Sequence, residues 1–116
     1  MKRRRKQAEK GNGLSVCILL LVLAFSLSTR ICWLRTGSMA PAYPAGSVIV
    51  ISPLLGPREG AVCAYRHNGM TVIHRVVGTD GTGYIFKGDA NNTADPYTVT
   101  EDEIEGRMLF GLPSFN

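Results

Sequence analysis

The stretch AVCAYRHNGMTVIHRVV, Ala61–Val77, decides the fold class. Its halves, Ala61–Arg66 and Met70–Val77, are short, apolar and rich in β-branched residues, and His67-Asn68-Gly69 separates them. Asn-Gly tolerates the positive φ angles of a tight turn, so the stretch reads as two antiparallel strands joined by a hairpin. Alternation along a strand puts Val72, His74 and Val76 on one face and Ile73, Arg75 and Val77 on the other. His74 thus lies between two valines, where burial is expected to favour its neutral form.

The same pattern extends outward. Ser47–Ile51 (SVIVI) reads as a buried strand. Asp80-Gly81-Thr82-Gly83 is a turn leading into Tyr84–Lys87 as another strand, and Gly106–Phe110 reads as a last one. Glu101–Glu105 fits one helical turn or a solvated acidic loop. The six prolines all fall between these runs, where a missing N–H costs no ladder bond. The domain is therefore expected to be mainly β.

The amino end is different. Lys2, Arg3, Arg4, Arg5, Lys6 and Lys10 form a basic cluster, and Leu14–Leu27 is almost wholly apolar. Of the 116 residues, 1–35 hold eight basic and one acidic residue (+7), whereas 36–116 hold five basic and eight acidic (−3). The overall +4 describes neither part, and a nucleic-acid binder is disfavoured because the basic charge is confined to one end.

Counting about 21 residues from Leu14 to Leu34 at ~1.5 Å each gives roughly 30 Å, the thickness of a bilayer core. Arg30 near the end of that count is expected to snorkel, and Trp33 suits the interface. A cleaved leader is the rival reading, but the A-x-A nearby, Ala40-Pro41-Ala42, has proline inside it. The expected organisation is a basic cytoplasmic tail (1–13), a transmembrane anchor (14–34) and an extracytoplasmic domain (35–116), oriented by the positive-inside rule. The lipid bilayer is then an expected partner. About 80 residues remain for the domain, a marginal size for one hydrophobic core.

Of the cysteines Cys17, Cys32 and Cys63, the last alone falls clearly in the domain, so no disulfide within it is expected. Cys63, His67 and His74 lack metal-site spacing. No metal or cofactor is expected.

Chemistry falls to Ser38, His74, Asp89 and Asp95. Ser38 lies in Thr36-Gly37-Ser38-Met39-Ala40-Pro41, where a flanking glycine lets the backbone bend and expose the hydroxyl; a plain Gly-Ser linker reads the same way. His74 is a strand histidine able to act as a base, or a core histidine with its hydrogen bonds met. His67 lies in the turn and reads as solvated. Lys87–Asp95 (KGDANNTAD) is an Asx-rich loop that caps turns or supplies a carboxylate to orient an imidazole. Together these are a nucleophile, a base and an orienter.

The pieces TGSMAP, GSVIVI, VIHRVV, KGDANNTAD and EGRMLFGLP, in this order behind an apolar amino-terminal run, resemble the type I signal peptidases, peptidase family S26. The resemblance covers about Leu34 to Leu112. It is to the branch found in the endoplasmic reticulum, archaea and spore-formers, because His74 stands where the other branch has a catalytic lysine. It implies a signal-peptidase-like β-domain behind one transmembrane helix, located in the cell membrane or, alternatively, that of the endoplasmic reticulum.

The resemblance implies Ser38 as nucleophile and His74 as general base. Asp95 is favoured as the residue orienting His74, with Asp89 shaping the loop or sharing the role. The Ser38 N–H and Thr36 would hold the oxyanion. Lys87, the only lysine beyond residue 10, is the rival base. The implied reaction is removal of signal peptides from exported preproteins, with small side chains at the first and third positions before the cut. Ala40 replaces a common glutamate, Thr36 a common serine, and Glu59-Gly60 the usual Gly-Asp. A membrane-tethered peptide-binding domain of the same fold, weak or inactive in catalysis, is the alternative.

Overall fold

The computed structural model of the chain describes the backbone of residues 2–115 and the side chains of residues 12–115. Among the described residues a single helix, α1 (Lys2–Ser28), precedes six strands: β1 (Arg30–Trp33), β2 (Val48–Ser52), β3 (Val62–His67), β4 (Met70–Thr79), β5 (Tyr84–Lys87) and β6 (Ile104–Leu112). A short 3-10 turn, Glu101–Glu103, leads into β6. All pairings between strands are antiparallel, in the order β1-β2-β6-β3-β4-β5.

Local turn chemistry sets the β3–β4 hairpin. Asn68 and Gly69 take φ of 50° and 77°, and His67 pairs with Met70. That closure fixes the register, so Tyr65 faces Val72 and Cys63 faces His74. Other pairings are non-local. β6 enters between β2 and β3, which the Pro53–Gly60 segment holds apart instead of joining as a hairpin. The turn before β6 closes on Glu103, whose carboxylate accepts hydrogen bonds from the Thr100 N–H (3.0 Å) and hydroxyl (2.8 Å).

Alternation divides β3 between two apolar clusters. Val62 and Ala64 pack with Leu34, Met39, Ile49, Ile51 and Ile73; Cys63 and Tyr65 pack with Val76, Phe86 and Val99. His74 shares the second face with Val72 and Val76, and the sheet is covered on both sides. Burying both faces helps so small a domain hold a core.

The expected transmembrane anchor is overturned. Among the described residues no helix is long and apolar enough to cross a membrane. Two features explain this. The helix ends at Ser28, and Arg30–Trp33, counted as the last part of the span, is instead a strand paired with Val48–Ile51. The apolar helical run from Leu14 to Ser28 is then 15 residues, or ~22 Å, short of the ~30 Å core. The residues before it, Lys2–Gly13, are largely polar or basic.

Arg30 forms an ion pair with Glu105 rather than reaching for an interface, and Trp33 Nε1 donates to Gly46 O at 3.0 Å. The single-pass location inferred from the span falls with it. The side chains of the basic cluster Lys2–Lys10 lie outside the described ones, so the orientation read from them does too.

Candidate active site

Ser38 sits on a turn set by its neighbours. Ala40 N donates to Gly37 O at 3.0 Å and Tyr43 N to Met39 O at 2.9 Å. Met39 is fully buried in the first apolar cluster and pins the turn, leaving Ser38 partly accessible beside it. The turn meets the β4 face carrying His74, where His74 Nε2 stands 3.2 Å from Ser38 Oγ.

The loop after β5 closes the site from the other side. Asp95 N donates to Phe86 O (2.8 Å), and Ala90 N donates to Ser38 O (2.8 Å), tying the loop to the serine's own carbonyl. Gly88 lies where that approach is tightest: a Cβ there would stand 2.8 Å from Ser38 O and 3.1 Å from His74 Nε2. The backbones can come this close only without a side chain.

Asp95 Oδ2 lies 2.8 Å from His74 Nδ1, and both side chains are largely buried. Facing a carboxylate oxygen, Nδ1 is assigned the proton, which leaves the Nε2 lone pair toward the Ser38 hydroxyl. A hydroxyl, an imidazole and a carboxylate are thereby aligned for proton transfer.

The other acidic candidate points elsewhere. Asp89 receives both Arg75 Nε (2.9 Å) and an Arg75 terminal nitrogen (2.8 Å), while Arg75 also donates to Gly60 O. The Arg75 hydrogen bonds hold the Asp89 carboxyl below its ordinary range, against the opposing effect of burial. Lys87 Nζ donates to Gly88 O at 3.3 Å; the nitrogen hydrogen-bonded to Ser38 Oγ belongs to His74. Thr36 Oγ1 lies 3.2 Å from Ser38 Oγ.

A cleft of about 820 Å³ opens at Ser38. Cys32 and Trp33 of β1 line it with Thr71 and Ile73 of β4, bringing together two strands that do not pair. Glu105 lines it too, held by Arg30 and by the Thr71 hydroxyl at 3.1 Å.

The profile of one family, described as Peptidase S24-like, matches residues 21–109. The chain belongs to the Peptidase S24-like family. The match takes in Ser38, His74, Asp89 and Asp95, and family membership points to a serine-peptidase-related function. It does not single out the type I signal peptidases, a finer assignment than the S24-like domain. No curated protein matches the chain.

Two tyrosines of this S24-like site escaped the sequence reading. Tyr65 Oη donates to Asp95 Oδ2 at 2.5 Å, and Tyr97 Oη lies 2.9 Å from Tyr65 Oη. A signal for Tyr65 was present: the Asn-Gly turn sets the register, which puts Tyr65 two residues from the partner of His74 on the same face. Nothing local marked Tyr97. His67, expected to be a solvated turn residue, is the last residue of β3 and stacks on the Tyr97 ring at 3.7 Å.

Proposed function

We propose that this S24-like domain is a serine endopeptidase acting on extended peptide segments, and that its reaction is the removal of signal peptides from exported preproteins. The observation that carries the reading is the hydrogen-bonded line from Ser38 Oγ through His74 to Asp95.

Ser38 Oγ attacks the scissile carbonyl as His74 Nε2 takes its proton. Asp95 stabilises the imidazolium and holds its orientation. The Ser38 N–H and the Thr36 hydroxyl steady the tetrahedral oxyanion. His74 returns the proton to the leaving amine, and water, activated by the same imidazole, releases the acyl group from Ser38. Asp89 acts through structure: clamped by Arg75, it braces the turn that bonds to the Ser38 carbonyl.

The cleft beside Ser38 supports an extended substrate, whose backbone can pair along a strand edge while side chains fill alternate pockets. The preference for small side chains at the first and third positions before the cut follows from the signal-peptidase resemblance.

The test is cleavage of a labelled preprotein, and of a peptide spanning its signal-peptide junction, by wild type and Ser38→Ala. Wild type should cut after the small residue at the junction and Ser38→Ala should not. Equal processing by both, or none by a folded wild type, refutes the peptidase. Tight peptide binding without cleavage would identify a peptide-binding domain instead.

A further inference from the structure

Asp95 is held by more than His74. Its Oδ2 accepts the Tyr65 hydroxyl as well as the His74 Nδ1–H, so one carboxylate oxygen has two donors. Tyr65 is fully buried on β3, its ring packed 4.6 Å from Phe86 and 6.5 Å, edge-on, from His74. Since the Tyr65 proton goes to Asp95, Tyr97 must be the donor in the Tyr65–Tyr97 pair. The result is a directed chain, Tyr97 to Tyr65 to Asp95, ending on the atom that faces His74. Burial, then the hydrogen bond to Asp95, push the Tyr65 phenol far above its ordinary value, so it stays a donor throughout the working range.

We propose that Tyr65, backed by Tyr97, is a positioning residue of the site: its hydroxyl fixes the Asp95 carboxylate and tempers the negative charge that His74 meets. The kinetic part of this rests on the peptidase reading above; the effect on His74 itself does not. The other groups around His74 leave this role to Tyr65. Ser38 is neutral. Cys63, directly across the ladder, is a buried thiol whose ionisation burial opposes. Asp89 spends its hydrogen bonds on Arg75 and acts on His74, as on Lys87, only through charge at longer range. Asp95 is therefore the charge in direct contact with the imidazole, and Tyr65 its second side-chain donor.

Tyr65→Phe keeps the buried ring and deletes the donor. The carboxylate then turns fuller charge toward His74, which favours the imidazolium and moves its titration to higher pH. The His74 midpoint should rise, and loss of the hold on Asp95 should lower kcat about tenfold with KM little changed. Tyr97→Phe, one bond further out, should shift the midpoint in the same direction by less.

The experiment follows the His74 ring by NMR against pH in the full chain for wild type, Tyr65→Phe and Tyr97→Phe, alongside pH profiles for cleavage of the junction peptide. The expected result is a graded upward shift in both measurements. If Tyr65→Phe does not fold, the smaller Tyr97→Phe shift carries the test. A His74 midpoint that stays in place in the folded variants overturns the inference even where cleavage persists. A midpoint that moves in a chain without Ser38-dependent cleavage supports the coupling and overturns the peptidase reading instead.

Discussion

Gly88→Ala is the sharpest test of how the site is assembled. Gly88 does not have a positive φ, so alanine meets no backbone strain there, and any effect must come from contact. The added Cβ would stand 2.7 Å from Asn91 Nδ2, 2.8 Å from Ser38 O and 3.1 Å from His74 Nε2. Asn91 can swing its amide away. Ser38 O is backbone, held by the turn that Met39 anchors, and cannot. Relieving a carbon–oxygen contact of that length to the usual separation takes roughly 0.5–1 Å of movement. The loop that moves also carries Ala90, whose N–H bonds to Ser38 O, and leads to Asp95.

A displacement of about 1 Å in a catalytic arrangement costs on the order of 100-fold in rate, and overpacking costs about 1–3 kcal/mol in stability. Gly88→Ala should therefore lower kcat about 100-fold while the chain still folds with a reduced Tm. Gly56→Ala, with open space around it and no positive φ, is the control and should change neither. The assay is steady-state cleavage of the junction peptide together with thermal unfolding. Activity within twofold of wild type in Gly88→Ala would show that the loop does not press on Ser38 and His74 as described.

Two other outcomes follow from the same geometry. Asp89→Asn should destabilise the fold by about 1–2 kcal/mol near neutral pH, by weakening a partly buried bidentate pair. Because the folded Asp89 carboxyl is held below its ordinary value, its contribution is present above that value and disappears as pH falls through the folded one. The gap between wild-type and Asp89→Asn melting temperatures should accordingly close on acidification below about pH 4, and a gap independent of pH would count against the pairing. Met39→Ala empties a fully buried site next to Ser38 and should cost about 2–5 kcal/mol by chemical denaturation; a loss below 1 kcal/mol would mean that Met39 does not anchor the turn.

How much was legible differs from element to element. The β3–β4 hairpin could be read because its information is local: two β-branched runs and an Asn-Gly pair determine both the strands and their register. β2, β5 and the core of β6 were legible for the same reason. β1 was not. Ile31–Leu34 is apolar again soon after the Leu14–Leu27 run, and apolarity alone cannot distinguish the end of a helix from a strand; pairing with Val48–Ile51, 15 to 21 residues on, makes that choice. The membrane span was miscounted at this point, because four residues assigned to a helix belong to the sheet.

The site divides along the same line. Ser38, His74, Asp89 and Asp95 stood out by residue type and order. Their division of labour came only from the resemblance, which favoured Asp95 for His74, since Asp89 and Asp95 occupy one loop of uniform composition. The Arg75 clamp on one and the His74 and Tyr65 bonds to the other separate them, and the Tyr65 contact spans 30 residues. By itself, the sequence determined which chemical groups are present and which short segments are strands, because side-chain type, alternation and turn preference act over a few residues. Only the tertiary structure decided where the helix stops, which carboxylate faces the imidazole and what else holds that carboxylate. Those depend on distances between distant parts of the chain, which exist only once the sheet has brought them together.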